Sequence, residues 1–322
     1  MIPTNKGLGL FATTLVFSFF AISGCQKPSA EEVSFNYRGG WQLGHGEPGE
    51  SAPPRGIAVG PDGRVYITNP SRDKIQCFTA GGSLLKEWGS GKPSPHMAYT
   101  GPKGIAVGPD GTVYAAYGKW NEIRYFTSEG ESLGWWGVGG FGECEFDHPA
   151  AVGVAPSGNV YVIEAGNARV QYFTRNGSFI GMWGTYGKGK GEFNEPCGIA
   201  VASDGNVYVA DLGNHRIQYF TSSGSFLGKW GKGRLRDRRY LRPVSVAIDS
   251  GNRVLVADAE YGCYKCFTLD GSYLGSRCAN YSPDAHFGSA SALAASPSGY
   301  IYVVDAHNRK VLYFEPEPVM RP

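Results

Sequence analysis

The segment PRGIAVGPDGRVYI at residues 54–67 returns as PKGIAVGPDGTVYA at residues 102–115, and four more times in blurred form. With Pro54 as reference, the equivalent positions are Pro102, Pro149, Pro196, Pro243 and Ala290, spaced 48, 47, 47, 47 and 47 residues apart. A fixed period of that length restricts the chain to architectures in which small units share their apolar faces with neighbours. Composition narrows the choice, because 48 Gly and 20 Pro among 322 residues suit many short strands joined by tight turns. They argue against an α-rich enzyme of this size.

Each unit reads as four strands. In the first, alternate positions are small in every copy: Gly56/Ala58, Gly104/Ala106, Ala151/Gly153, Gly198/Ala200, Ser245/Ala247 and Ala292/Ala294. Successive side chains on a strand point to opposite faces, so one face of this strand is bare, as a crowded axis requires. The second strand is Val-Tyr-Val-like and follows a Pro-Asp-Gly-type turn. The third and fourth form a hairpin with Gly81-Gly82, Glu129-Gly130, Asn176-Gly177, Ser223-Gly224 or Asp270-Gly271 at its centre, pairs that suit a type I′ turn. The fourth ends in Trp88, Trp136, Trp183 or Trp230. The sixth unit stops after Tyr313-Phe314 with no room for a fourth strand, while Trp41 lies 13 residues before Pro54 as Trp183 lies 13 before Pro196. The expected fold is all-β: a six-bladed β-propeller of four-stranded antiparallel blades, its ring closed by the N-terminal strand completing the last blade.

The stretch PCGIAVASDGNVYVADLGNHRIQYFTSSGSFLGKWG, residues 196–231, closely resembles the NHL repeat, and all six copies resemble it more weakly. The resemblance implies the same six-bladed fold. It says little about function, because that family includes RNA-binding domains, extracellular sensor domains, an amidating lyase and many bacterial proteins without assigned activity.

The first residues carry one Lys, then an apolar stretch over residues 8–22, as a secretory signal does. Ile22-Ser23-Gly24-Cys25 resembles a bacterial lipobox, which implies cleavage before Cys25 and lipidation of that residue. Gln26, where the inner-membrane retention signal would be Asp, implies the outer membrane if the source is Gram-negative. The expected organisation is a signal peptide over 1–24, a lipidated Cys25 and short tether over 25–33, the propeller over 34–316 and a tail over 317–322.

Six cysteines remain, and an exported protein permits disulfides. With Asp270-Gly271 at the hairpin centre, Cys263 lies opposite Cys278, and a disulfide between them is expected. It would stand in the blade that lost the repeat's Asn, Arg and Trp. Cys144 and Cys197 fall in or beside loops on one face and could bridge. Cys77 and Cys266 occupy an otherwise aromatic row and read as packing residues.

A net charge of +2 gives no global attraction to nucleic acid or membrane, so any electrostatic site is a local patch. GRLRDRRYLRP, residues 233–243, is such a patch: Arg234, Arg236, Arg238, Arg239 and Arg242 oppose a single Asp237. It leads into the fifth blade at the channel mouth, where Arg forks suit phosphate, carboxylate or sulfate groups. Tyr240, Trp120 and Tyr117 add aromatic surface to the expected ligand-binding set, with Tyr99 and Tyr261 in nearby loops. No His position recurs between blades, and Cys263-x-x-Cys266 lacks a second pair, so no metal, cofactor or catalytic residue is assigned. The expected function is a binding scaffold for a protein or anionic glycan of the cell envelope, membrane-bound through its anchor only, with nucleic acid disfavoured by export. The alternative is a metal-dependent lyase or lactonase-like enzyme with its site at the same mouth.

Overall fold

The computed structural model describes residues 35–43, 53–89, 101–231, 241–259, 263–278 and 290–316, all within a compact unit spanning Glu32–Pro322. The leader with Cys25, the arginines at 234, 236, 238 and 239, and the tyrosines at 99, 240 and 261 lie outside the described residues.

Six four-stranded antiparallel sheets form the blades. Their first strands, Ile57–Val59, Ile105–Val107, Pro149–Val154, Pro196–Val201, Pro243–Ile248 and Ala290–Ala295, neighbour one another in turn, the last beside the first. The small residues of the sequence pattern face these junctions. A Cβ on Gly104 would stand 2.6 Å from Cα of Ala151 in the next blade, and one on Gly198 3.0 Å from Cα of Ser245. In the sixth sheet, Phe35–Gln42 pairs antiparallel with Lys310–Pro316 and is the outer strand, so the first strand of the chain belongs to its last blade.

The blades are locked by one recurring aromatic arrangement. In every blade but the fifth, the Trp of the fourth strand lies against the second-strand Tyr of its own blade and the third-strand Phe of the next. Trp183, for example, has ring centroids 6.0 Å from Tyr161 and 5.7 Å from Phe220. The same ring covers the turn glycine of the next blade, where a Cβ on Gly224 would fall 2.6 Å from the Trp183 ring. The second-strand Tyr hydroxyl then donates to a carbonyl of that turn: Tyr161 to Ser222 at 3.0 Å and Tyr208 to Leu269 at 3.1 Å. Such aromatic pairs contribute about 0.5–1.5 kcal/mol each beyond the area they bury.

The turns differ from expectation. A type I′ turn needs positive φ at both central residues. Here φ is positive only at the second, +90° at Gly224 and +94° at Gly271. Thr221 N–H donates to Ser225 O at 2.9 Å and Gly224 N–H to Thr221 O at 3.0 Å, which defines a type I turn with a glycine bulge. Thr221 Oγ1 also accepts from Ser225 N–H at 3.0 Å, and Thr79, Thr127, Thr174 and Thr268 do the same in their blades. The threonine holds the bulge, so one positive φ is sufficient.

The bulged turn displaces the hairpin register by one residue, and a second irregularity restores it. Phe267 faces Tyr273, the strand then bulges, and Cys266 faces Gly275, Tyr264 faces Arg277 and Cys263 faces Cys278. The two cysteines are therefore register partners, as the sequence suggested, although by a different turn. Their side chains lie outside the description. Cys77, Cys144, Cys197 and Cys266 are free thiols, so the possible Cys144–Cys197 bridge is not formed. Cys77 and Cys266 are buried packing residues as expected.

The Trp–glycine contact predicts a graded response to adding one methyl group. Gly63 has φ +80° with no atom within 4 Å of a built Cβ, whereas Gly224 has φ +90° and meets Trp183. Gly63→Ala should cost about 1 kcal/mol for the left-handed backbone alone. Gly224→Ala should cost at least about 2 kcal/mol, because overpacking adds to it. Urea unfolding checks this, and equal losses would show that the tryptophan contact is not tight.

Candidate functional site

The loops leading into blades three and four are held by a polar set at the end of the second strand. In blade four, Asp211 and Arg216 are fully buried. The Asp211 carboxylate accepts from Arg216 Nε at 2.7 Å, Asn214 Nδ2 at 2.9 Å and the Asn194 backbone N–H at 2.7 Å. Arg216 spends its remaining donors on carbonyls of the lead-in loop: Lys188 at 2.9 Å, Gly189 at 2.8 Å and Glu192 at 2.7 Å. Blade three repeats the arrangement with Glu164, Asn167 and Arg169. The Asn-x-Arg pair of the repeat is therefore structural, fastening the segment that arrives from the preceding blade.

The strand ends of blades five and two carry different groups. Blade five pairs buried Asp258 with Lys265 at 2.8 Å. Blade two places Tyr117 at the carboxylate position and stacks the Arg124 guanidinium 5.0 Å from its ring centre, with Arg124 Nε donating to Glu122 at 2.6 Å. Tyr117 is fully buried, and burial holds its phenol far above the ordinary value. Tyr117 thus belongs to the packing beneath the face, a correction to its expected place on the binding surface. A strand-end tyrosine is covered here because it fills the space that the polar set occupies elsewhere. Trp120 is half-buried and packs on the core between blades one and two. Of the arginine run, Arg242 is described: it is exposed, with its backbone N–H 3.4 Å from the Asp258 carboxylate.

A channel of about 500 Å³ runs between the first strands. At its mouth the strand is bulged: Pro196 pairs with Asp211 and Gly198 with Ala210, leaving Cys197 as the extra residue. Blades one and two show the same pattern, with Lys103 N–H bonded to Ala116 O and Ala116 N–H to Gly104 O, both at 2.9 Å. A bulge re-aims one side chain, here toward the axis. The six residues so placed are Arg55, Lys103, Ala150, Cys197, Val244 and Ser291, all lining the channel. They form one ring of varied chemistry on a scaffold that otherwise repeats. The signal was present in the sequence as the one position of the first strand that reads Arg, Lys, Ala, Cys, Val, Ser from blade to blade. Reading the strand for its small residues passes over it.

The ring is positively charged on one side. Arg55 and Lys103 stand in adjacent blades, and among the described residues those lining the channel include no Asp or Glu. The Lys103 amine is held below its ordinary pKa, first by burial and then by the Arg55 charge. Its backbone carbonyl accepts from the buried Thr68 hydroxyl of blade one at 2.8 Å, fixing the two cationic blades together. The Cys197 thiol donates to Pro243 O at 3.3 Å, and burial pushes its pKa up to about 12, so it is not a nucleophile near neutral pH. At the rim, exposed His148 pairs through Nδ1 with Asp147 at 2.5 Å. Among the described residues no three His, Cys, Asp or Glu side chains converge on a point that would hold a metal.

The Lys103 shift gives a stability signature. The unfolded lysine titrates near about 10.4, so between the depressed folded value and that point the unfolded chain binds more protons and stability rises with pH. Across this alkaline window, wild type should gain unfolding free energy relative to Lys103→Met in denaturant titrations. Parallel pH profiles for the two proteins would rule out a depressed Lys103.

Residues 193–220 match the family model described as NHL repeat. No curated protein matches the chain in sequence. Among solved structures, a catalytically inactive variant of virginiamycin B lyase from Staphylococcus aureus, with quinupristin, is 17% identical, with 89% of each chain covered and a TM-score of 0.61. A streptogramin B lyase is 14% identical, covering 90% of this chain and all of that one at a TM-score of 0.59. A gluconolactonase from Xanthomonas campestris is 13% identical, covering 88% and 98% at a TM-score of 0.60. At these identities the likeness is one of fold.

Proposed function

We propose that the chain is an exported, lipid-anchored NHL-type propeller whose channel-mouth face binds an anionic partner of the cell envelope, an acidic glycan or an acidic protein surface. The observation that carries this reading is the positive charge of Arg55 and Lys103 in the channel wall, opposed by no Asp or Glu among the described lining residues, with exposed Arg242 leading into the fifth blade. The repeat supplies a rigid ring, and the varied positions supply recognition. Anchoring through Cys25 would keep the protein at the membrane, in the outer membrane of a Gram-negative source, and nucleic acid is not among the expected partners.

The test is retention on an immobilised polyuronate compared with neutral dextran. Retention should be specific to the polyuronate and weaken as salt screens the charges. Replacing Arg236, Arg238, Arg239 and Arg242 by Ser should reduce it at least about tenfold, the scale of one lost charge-assisted contact. Equal retention on dextran, or indifference to the substitutions, overturns the reading.

The second reading, a metal-dependent lyase or lactonase-like enzyme at the same mouth, draws on the names of the lyase and gluconolactonase neighbours. A stoichiometric metal that survives dialysis of the same preparation would favour it.

We also propose that after export the facing pair Cys263 and Cys278, whose backbone register already matches, is joined by thiol–disulfide exchange with an oxidised dithiol oxidoreductase, which takes up the two electrons and two protons. Non-reducing peptide mass spectrometry should recover the two cysteines as one linked peptide pair. Recovery of both as free thiols from the exported protein refutes the bond.

A further inference from the structure

The channel differs from the face around it in being narrow, mostly apolar and charged at one level. Below the ring that holds Arg55 and Lys103, the wall is built by Ile57, Ile105, Val152, Ile199, Val246 and Leu293, one from each blade. About 500 Å³ lies within the usual range for small-molecule sites and excludes a folded polypeptide. Neither Arg55 nor Lys103 has a side-chain hydrogen bond or ion pair among the described residues. Lys103 extends toward Gly118, where a built Cβ would be 3.6 Å from Nζ, so the absence of a side chain at 118 keeps space open beside the amine. Arg55 is exposed and Lys103 half-buried; the two like charges repel each other, and a bound anion would relieve that repulsion. The Cys197 and Ser291 heads are turned to backbone carbonyls, so among the described residues the opposite side of the ring offers no competing anion or base.

We propose that the axial channel is a binding site for a small amphiphilic carboxylate, with its head between Arg55 and Lys103 and its aliphatic body against the isoleucine-rich wall. Arg offers a planar fork that matches a carboxylate, and Lys adds a point charge from the neighbouring blade. The inference rests on the reading of the mouth as an anion-binding face and narrows it to one ligand class at one level of the channel.

Isothermal titration calorimetry with octanoate, octanol and inorganic phosphate tests it on the full protein. Octanoate should bind saturably with one site per chain, and at least tenfold more tightly than either of the others. The Arg55→Gln/Lys103→Gln protein should lose octanoate binding at least tenfold through the head. Ala150→Phe should lose it through the occupied channel, with Val244→Phe as the substitute if that variant fails to fold by circular dichroism. Octanol equal to octanoate would remove the role of the cations, and phosphate equal to octanoate would remove the role of the wall. Either result, an absence of saturable octanoate binding, or indifference to the substitutions overturns the inference. If polyuronate retention persists in the same preparation, only the small-ligand inference falls, whereas loss of both signals removes the anion-binding reading with it.

Discussion

The contact on which this ring depends is an indole ring lying on a glycine. Every blade but the fifth ends in a tryptophan, and the next blade offers a hairpin turn whose glycine leaves room for it, with a built Cβ 2.6 Å from the ring at Gly130, Gly224 and Gly271. The contact joins two demands at one atom, because the turn also requires positive φ there. It explains why the second strand carries Tyr, whose ring meets the indole and whose hydroxyl reaches the neighbouring turn. It also explains the exception. Blade six has no hairpin turn between its outer strands, since its fourth strand comes from the N-terminus. No turn glycine is available to blade five, which places Arg277 at the tryptophan register and Leu255 at the tyrosine position. Tyr264, at a position that is Ile or Val in the other blades, brings its ring centre 5.7 Å from Phe314 and supplies the missing aromatic contact.

A second constraint acts at the channel face. The segment between blades has to cross from the rim to the axis, and its carbonyls would be left unpaired without a donor that follows it. Arg169 and Arg216 perform that task from a buried position, each neutralised by a carboxylate at the end of the second strand. Removing one partner of such a pair is far more costly than the pair is worth, which accounts for wholesale replacement in blade two rather than single changes. The face is therefore held in place by groups that are not themselves available to a ligand. The bulged residues at the axis and the exposed rim are the parts of this face that the fastening leaves open.

Two expectations from the sequence failed in instructive ways. Tyr117 reads as surface from its loop position, but it lies beneath Arg124, and nothing local in the sequence tells a covered strand end from an open one. The Cys263–Cys278 register was legible although the turn chemistry was misjudged, because the glycine bulge and the later strand bulge each shift the register by one residue and cancel. The positions of Arg55 and Lys103 were visible as variation within a repeat. Their orientation was not, since a strand read by strict alternation conceals a bulge that sends the next side chain to the axis.

The sequence by itself determined the number of blades, the four strands of each, the small inner positions and the tryptophan row, because period, alternation and turn residues act over short distances along the chain. Only the tertiary structure decided which side chains share the axis and which strand ends are covered. The first relation links residues 47 or more positions apart, such as Arg55 and Lys103 across one blade junction, and arises when six units are bent into a ring. The second depends on how side chains such as Tyr117 and Arg124 pack within a blade.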